Sequence, residues 1–203
     1  MKPFDKFESK FVPFPFVNVD TDQIIPKQFL KLTQKTGFGK YLFYDWRYEQ
    51  DGQPKKDFVL NKSQYFNRKI LLTLDNFGSG SSREHAVWAL SDYGFKVIIS
   101  TSFADIFYSN CIKNGLLPIT LSKPQINYLF KNEDLSVEID LDNQEIKLME
   151  NSIYKKFKFQ IDKSKKMMLM AGLDEIGMTL QLDSEITKYE KNNRIVSYKD
   201  NLL

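Results

Sequence analysis

Three short, nearly continuous apolar runs separated by segments of helical length constrain the fold of this chain more than any other feature. They are Lys69-Ile70-Leu71-Leu72-Thr73-Leu74, Lys96-Val97-Ile98-Ile99-Ser100 and Leu116-Leu117-Pro118-Ile119-Thr120-Leu121. A strand apolar on both sides must be covered on both faces, which is the condition of a parallel sheet with crossover helices. Ser81–Tyr93, closed by Gly94 as a C-cap, and Ser102–Asn114 are the expected crossovers. The strand–helix–strand–helix–strand order implies right-handed connections. A further helix is expected around Lys123–Lys131. Phe11–Val19 reads as a strand that Pro13 and Pro15 restrict to a sheet edge.

Beyond Lys131 the pattern changes. Val137, Ile139 and Leu141 alternate with charged residues, as do Ile146 with Leu148 and Phe157 with Phe159 and Ile161. These are antiparallel strands, the first two joined by a hairpin turn at Asp142-Asn143. Lys155, Lys156, Lys158, Lys163, Lys165 and Lys166 gather around the last run, so they form the wet face of a half-buried strand and its following turn rather than a phosphate-binding patch. Residues 163–203 read as an extension of short helices packed by Met167, Met168, Leu169, Met170, Leu173, Ile176, Met178 and Leu180. Between the first strand and the sheet, Thr36–Gln53 is rich in aromatic residues and poor in periodicity. It reads as a structured loop with a short helix, and the loop from Gln34 to Gln53 is expected to be mobile in the isolated chain. The 203 residues form one α/β domain with a mostly parallel central sheet and additional antiparallel strands.

Composition narrows the function. The 29 Lys and Arg against 26 Asp and Glu leave a formal charge of +3, too weak to argue for nucleic acid. No apolar run approaches the ~20 residues of a membrane span, and the N-terminal residues lack the apolar core of a secretory signal. Cys111 is the single cysteine, so no intrachain disulfide exists, which suits a reducing cytoplasm. One cysteine and one histidine, His85, cannot build a closed zinc site or hold an iron–sulfur cubane. Any cluster used in the chemistry must sit on another chain.

The most informative segment is Asp75-Asn76-Phe77-Gly78-Ser79-Gly80-Ser81-Ser82-Arg83-Glu84-His85-Ala86. A glycine-rich turn here delivers the chain from a buried strand into a helix N-terminus, with two hydroxyls and a guanidinium in the expected first turn. Such a terminus suits a carboxylate or phosphate. Ser81-Ser82-Arg83-Glu84 is equally a capping box with a purely structural purpose. The glycines do not complete a dinucleotide fingerprint, because Arg83 stands where its third glycine belongs, and no P-loop or Gly-x-Ser-x-Gly motif is present. His85, one helical turn after Ser81, would have to serve as the base of any serine hydrolase.

This segment resembles the signature of the swivelling domain of the aconitase superfamily. Asn18-Val19-Asp20-Thr21-Asp22-Gln23-Ile24-Ile25-Pro26-Lys27-Gln28-Phe29-Leu30 resembles the opening of the small subunits of bacterial isopropylmalate dehydratases. Thr36-Gly37-Phe38-Gly39 with Asp45-Trp46-Arg47 resembles their substrate loop. Ser102–Tyr108, Gly115–Pro118 and Gly172–Gln181 are similar to their later elements, so the resemblance spans nearly the whole chain. Ser79 departs from it, standing where bacterial members usually carry cysteine.

The resemblance implies a swivelling β/β/α domain and a hydro-lyase that interconverts 2- and 3-isopropylmalate by dehydration and rehydration in leucine biosynthesis. It implies a heterodimer with a large subunit that carries the 4Fe–4S cluster, this chain binding no cofactor itself. Ser81 would be the base, acting as an alkoxide; Ser82 and Arg83 would hold a substrate carboxylate, Arg83 bidentately. Asp22 would orient neighbouring polar groups, its bland alternative being an Asx-turn residue. Leu30 and Leu32, in the loop after Pro26, would form the apolar specificity element where a citrate site needs an arginine. Three rival readings stand beside this one: a small subunit for citraconate or homoaconitate, a non-catalytic anion-binding module, and an interaction protein that docks through the aromatic loop Phe38–Tyr48.

Overall fold

The computed structural model describes residues 1–31, 36–150 and 153–192. Four parallel strands, β2 (Phe11–Phe14), β3 (Ile70–Thr73), β4 (Val97–Ser100) and β5 (Leu117–Thr120), lie side by side in chain order. Before them comes the short strand β1 (Phe7–Ser9). The crossovers between β3, β4 and β5 are α3 (Glu84–Tyr93) and α4 (Asp105–Lys113), and two single-turn helices, α1 (Thr21–Ile24) and α2 (Tyr44–Arg47), lie between β2 and β3. After β5 come α5 (Lys123–Lys131) and the strands β6 (Val137–Asp140), β7 (Glu145–Glu150) and β8 (Ile153–Lys158). With β1 these form an antiparallel sheet in the order β1-β6-β7-β8. Three helices follow: α6 (Lys163–Ala171), α7 (Glu175–Leu180) and α8 (Asp183–Asn192).

The three layers follow from strand periodicity. Successive side chains of a strand point to opposite faces, so an apolar run feeds two cores at once. Ile70 and Leu72 of β3 join Val97, Ile99, Leu117 and Ile119 on one face, packed against Val137, Ile139, Ile146, Leu148 and Phe157 of the antiparallel sheet. Leu71 and Ile98 face the other way, into a second core with Val12, Phe14, Ala86, Val87, Leu90 and Phe107. The result is a β/β/α sandwich with the parallel sheet in the middle, as the apolar runs require.

The two prolines of the first strand act where expected. β2 is a sheet edge, and it stops at Phe14 because Pro15 has no N–H and the Phe16 N–H turns back to the Phe14 carbonyl at 2.8 Å. Gly94 ends α3 in the left-handed conformation, φ 116°. The β6–β7 hairpin is present, but its turn spans residues 141–144 and is held by the Asp140 carboxylate, which accepts from the Asn143 backbone N–H and side-chain amide at 2.9 Å each. Phe157 and Phe159 are buried between exposed Lys155, Lys156 and Lys158, the wet-face arrangement.

Two expectations are corrected. Both crossover helices start later than their polar residues suggest. α4 begins at Asp105, since the Ser102 hydroxyl is engaged by the Asn76 N–H at 2.8 Å and the Ser102 carbonyl by the Phe77 N–H at 3.1 Å. The described part of the aromatic loop packs into the second core: Phe38, Leu42 and Phe43 are fully buried, and Arg47 bonds the carbonyls of Gly39 and Leu42 and the side chain of Asn61. In the C-terminal extension only part of the expected stripe packs. Met168 and Leu169 are buried and Met178 lies against the core, whereas Met167, Met170, Ile176 and Leu180 are exposed. A helix turns about 100° per residue, so α6 cannot bury four consecutive side chains against one face. Residues 193–203 lie outside the described residues. No helix among the described residues is long and apolar enough to cross a membrane.

Candidate active site

In an open parallel sheet the loops that leave the carboxyl ends of the strands converge, and ligands bind there. Three such loops meet in this chain. The loop after β2 (residues 18–21) and the turn after β3 (residues 75–83) are laced together: Gly78 and Ser79 N–H groups donate to the Val19 carbonyl at 2.7 and 3.2 Å, and the Thr21 N–H donates to the Ser79 carbonyl at 2.9 Å. The loop after β4 joins through Ala104 N–H to Phe77 carbonyl, 3.1 Å. Gly78 has φ 78°, and a Cβ there would fall 2.1 Å from Cγ of Phe107, so only glycine lets the turn approach α4 this closely.

A pocket of about 260 Å³ opens where the turn and α4 face each other. Ser81 and Arg83 line it with Thr21, and Ala104, Asp105, Ile106 and Phe107 form the opposite wall. The helix end that faces the pocket is therefore not the one the sequence suggests. α3 begins at Glu84 with Arg83 as its N-cap in extended conformation, so Ser81 and Ser82 precede the helix and the expected capping box does not form. Its members are spent elsewhere. The Ser81 carbonyl accepts from the Thr21 hydroxyl at 2.9 Å, the Glu84 carboxylate accepts from Asn114 Nδ2 at 2.8 Å, and the Arg83 guanidinium pairs with the Asp22 carboxylate. It is α4 that presents its N-terminus to the pocket. Its N-cap is Ala104, with no side-chain cap, so the first-turn N–H groups of Asp105 to Phe107 are available to an acceptor there.

Arg83 is mostly buried and Asp22 is about half exposed, with Lys27 Nζ at 4.0 Å from the other Asp22 oxygen. The Asx-turn reading of Asp22 belongs instead to Asp20, whose carboxylate caps α1 by accepting from the Gln23 N–H at 2.7 Å. That leaves Asp22 free for Arg83. One guanidinium nitrogen is taken by Asp22, and the remaining donors are available to a ligand carboxylate. Asp75, at the foot of the turn, has its carboxyl lowered by the Thr101 hydroxyl and then by Lys123, 3.2 Å away, which ties the β3 turn to the β4 loop as an ion. His85 packs edge-on to Phe38 and against Trp88, an aromatic setting rather than that of a serine's base.

Residues 1–124 match the family model described as the aconitase C-terminal domain. The chain is 50% identical over 197 residues to the 3-isopropylmalate dehydratase small subunit of Rhizobium rhizogenes (strain K84), covering 95% of this chain and 96% of that one. It is 52% identical over 192 residues to the subunit of the same name from Staphylococcus aureus (strain JH9), covering 95% and 98%. The chain belongs to the family of 3-isopropylmalate dehydratase small subunits. A solved structure of 3-isopropylmalate dehydratase from Methanocaldococcus jannaschii superposes with a TM-score of 0.65 at 28% identity, covering 91% of this chain and 99% of that one. As a member of this aconitase-related small-subunit family the chain is a component of a hydro-lyase.

For a small subunit of this kind the sequence singled out six site residues. The structure brings Ser81, Arg83 and Asp22 together; Ser82 is exposed beside them and does not line the pocket. Leu30 is partly buried against the aromatic core, away from the pocket lining, and Leu32 lies outside the described residues. Thr21 and the α4 wall went unassigned. Ser102-x-x-Asp105 marks a helix start in the sequence, but only the folded sheet sets that start opposite Ser81. The residues present do not fit an iron–sulfur cluster: the lone thiol, Cys111, is fully buried within α4, and burial pushes its ionisation well up, away from the thiolate that metal binding needs. Among the described residues no group of three His, Cys, Asp or Glu side chains is arranged to hold a metal.

Proposed function

We propose that this subunit carries the base and one carboxylate-binding arm of 3-isopropylmalate dehydratase, with Ser81 as the base. The reaction removes a proton and a hydroxide from adjacent carbons of 2-isopropylmalate and returns them in exchanged positions. Ser81 Oγ, as an alkoxide, takes the proton from the carbon next to the hydroxyl-bearing one, and the resulting hydroxyl hands it to the other carbon on rehydration. A serine hydroxyl does not ionise at neutral pH unaided. The supporting observation is that Ser81 lines one pocket with Arg83 and the first turn of α4, whose guanidinium and N–H groups, respectively, are sources of positive potential. Arg83, with Ser82, holds a substrate carboxylate, and Asp22 fixes the guanidinium while it does so.

The hydroxide needs a Lewis acid, which a 4Fe–4S cluster on a large-subunit partner supplies when the two chains assemble in the cytoplasm. The pocket is open to solvent on this chain's surface, as a half-site completed by another chain would be. The apolar wall of Ala104, Ile106 and Phe107 offers a seat for the isopropyl group, with Leu30 and Leu32 as further specificity positions. Citraconate and homoaconitate are not favoured: the relatives bear the isopropylmalate name, and no cation lines the wall opposite Ser81 to receive homoaconitate's third carboxylate.

The test is anaerobic co-expression with the cognate large subunit, followed by isopropylmalate turnover with and without this chain. Turnover that needs both chains and is lost in Ser81→Ala, with assembly intact, is the expected result. Undiminished turnover by Ser81→Ala refutes the assignment of the base. Ligand binding by this chain alone, without activity in the complex, favours the binding-module reading.

A further inference from the structure

We infer that Thr21 is a positioning residue for the reaction, holding Ser81 in register through the Ser81 carbonyl. The inference deepens the assignment of Ser81 as base and depends on it. Thr21 is a polar side chain only 2% exposed, at the start of a helix of a single turn. Its backbone N–H donates to the Ser79 carbonyl and its hydroxyl to the Ser81 carbonyl, both at 2.9 Å. With Gly78 and Ser79 donating to Val19, and Asp20 bridged to Ser79, segments 19–21 and 78–81 form a small parallel ladder. The Thr21 hydroxyl is its last rung, reaching one residue past the backbone pairing to the residue that carries the chemistry.

That rung falls where the chain is least constrained by its own conformation. Gly80 precedes Ser81 with φ 89°, and Ser82 follows it exposed to solvent. Thr21 is itself well held. It is β-branched, so χ1 is restricted. The capping box of Asp20 and Gln23 closes around it, and its carbonyl accepts the Ile25 N–H at 3.0 Å. Asp22, the next residue, pins Arg83. One rigid turn of helix thus sets two neighbouring positions of the pocket, Thr21 placing the base and Asp22 placing the guanidinium.

Thr21→Val keeps the shape and removes the donor; Thr21→Ser keeps the donor. Both are to be measured in the reconstituted two-chain enzyme beside Ser81→Ala. A misplacement on the order of 1 Å costs about 100-fold in rate, so Thr21→Val is expected to lower kcat about 10- to 100-fold. KM for isopropylmalate should hold within about threefold, since the carboxylate contacts are untouched, and Thr21→Ser should restore most of kcat. Wild-type kcat in Thr21→Val overturns the inference, as does a Thr21→Ser enzyme no better than Thr21→Val, or a KM that rises as far as kcat falls. If Thr21→Val does not fold, Thr21→Ser decides: kcat within about threefold of wild type supports the inference, and a larger loss at unchanged melting temperature overturns it. An active Ser81→Ala enzyme defeats the assignment of the base itself, whereas an inactive one beside a fully active Thr21→Val defeats only the role of Thr21.

Discussion

Replacing Gly78 by alanine should damage this subunit far more than one added methyl group suggests. Two penalties combine. Gly78 has φ 78°, a left-handed conformation that costs an L-residue about 1–2 kcal/mol. The new Cβ would also lie 2.1 Å from Phe107 Cγ and 2.6 Å from Phe107 Cβ. Phe107 cannot swing aside, because it is 2% exposed, edge-on to Phe77 and stacked with Phe103. Contact with its Cβ means that α4 itself must retreat, an overpacking strain of about 1–3 kcal/mol. The total is about 2–5 kcal/mol. Gly94→Ala is the control: φ is 116°, yet nothing lies within 4 Å of the added carbon, so only the conformational part applies. Urea unfolding of the two variants, compared through their midpoints at constant slope, isolates the steric part. Equal losses would refute the claim that α4 is clamped against the glycine turn. In the assembled enzyme Gly78→Ala should also lower turnover at temperatures where it stays folded, because the retreat of α4 widens the distance to Ser81.

Other outcomes follow from the same geometry. Asp22→Asn removes the charge that holds Arg83. The half-exposed pair contributes at most about 1 kcal/mol to stability, so the urea midpoint should barely move while KM for isopropylmalate rises about tenfold or more, in line with a lost charge-assisted bond; an unchanged KM would show that Arg83 needs no partner. Ile106→Arg, which puts a cation on the α4 wall, should cut isopropylmalate turnover at least tenfold, as one pocket contact is worth about 1–3 kcal/mol. Leu30→Arg should weaken turnover as well, and unchanged kinetics for it beside an impaired Ile106→Arg would locate specificity on α4. Asp140 is held well below the usual carboxylate range by the Asn143 side chain and backbone N–H, then by Lys147. Its stabilisation is therefore complete above about pH 4 and declines as the pH falls from there towards its folded value. The stability gap between wild type and Asp140→Asn should hold above about pH 4 and narrow steadily as the pH falls below it, and a constant gap would contradict this assignment.

The sheet was legible because its signal is local. Runs such as Ile70–Thr73 and Val97–Ser100 are buried on both faces, and short apolar runs flanked by turn residues have few other places to go. The helix starts were less legible. Ser102 looks like a capping residue, but its hydroxyl is taken by the Asn76 N–H, twenty-six positions away, and α3 starts beyond Ser81 with Arg83 as its N-cap. A local propensity loses whenever a distant group offers the same hydrogen bond in a better-packed place. The methionine-rich extension misled for a related reason: apolar composition says that a face will be buried, but not which residues of the turn form it, and Met167 and Met170 point outward.

By itself the sequence determined the α/β class with its parallel sheet and the lack of any cluster-binding thiol set, both read from residue type and periodicity along the chain. Ser81, Arg83 and Asp22 were singled out by the resemblance of their segments to the aconitase superfamily. Only the tertiary structure decided that Asp22 pairs with Arg83 across sixty-one positions, that Thr21 grips the Ser81 carbonyl, and that the open helix end facing Ser81 belongs to α4 and not to α3. The physical reason is that a parallel sheet gathers the carboxyl ends of strands far apart in sequence, and the hydrogen bonds between their loops form only after the strands have paired.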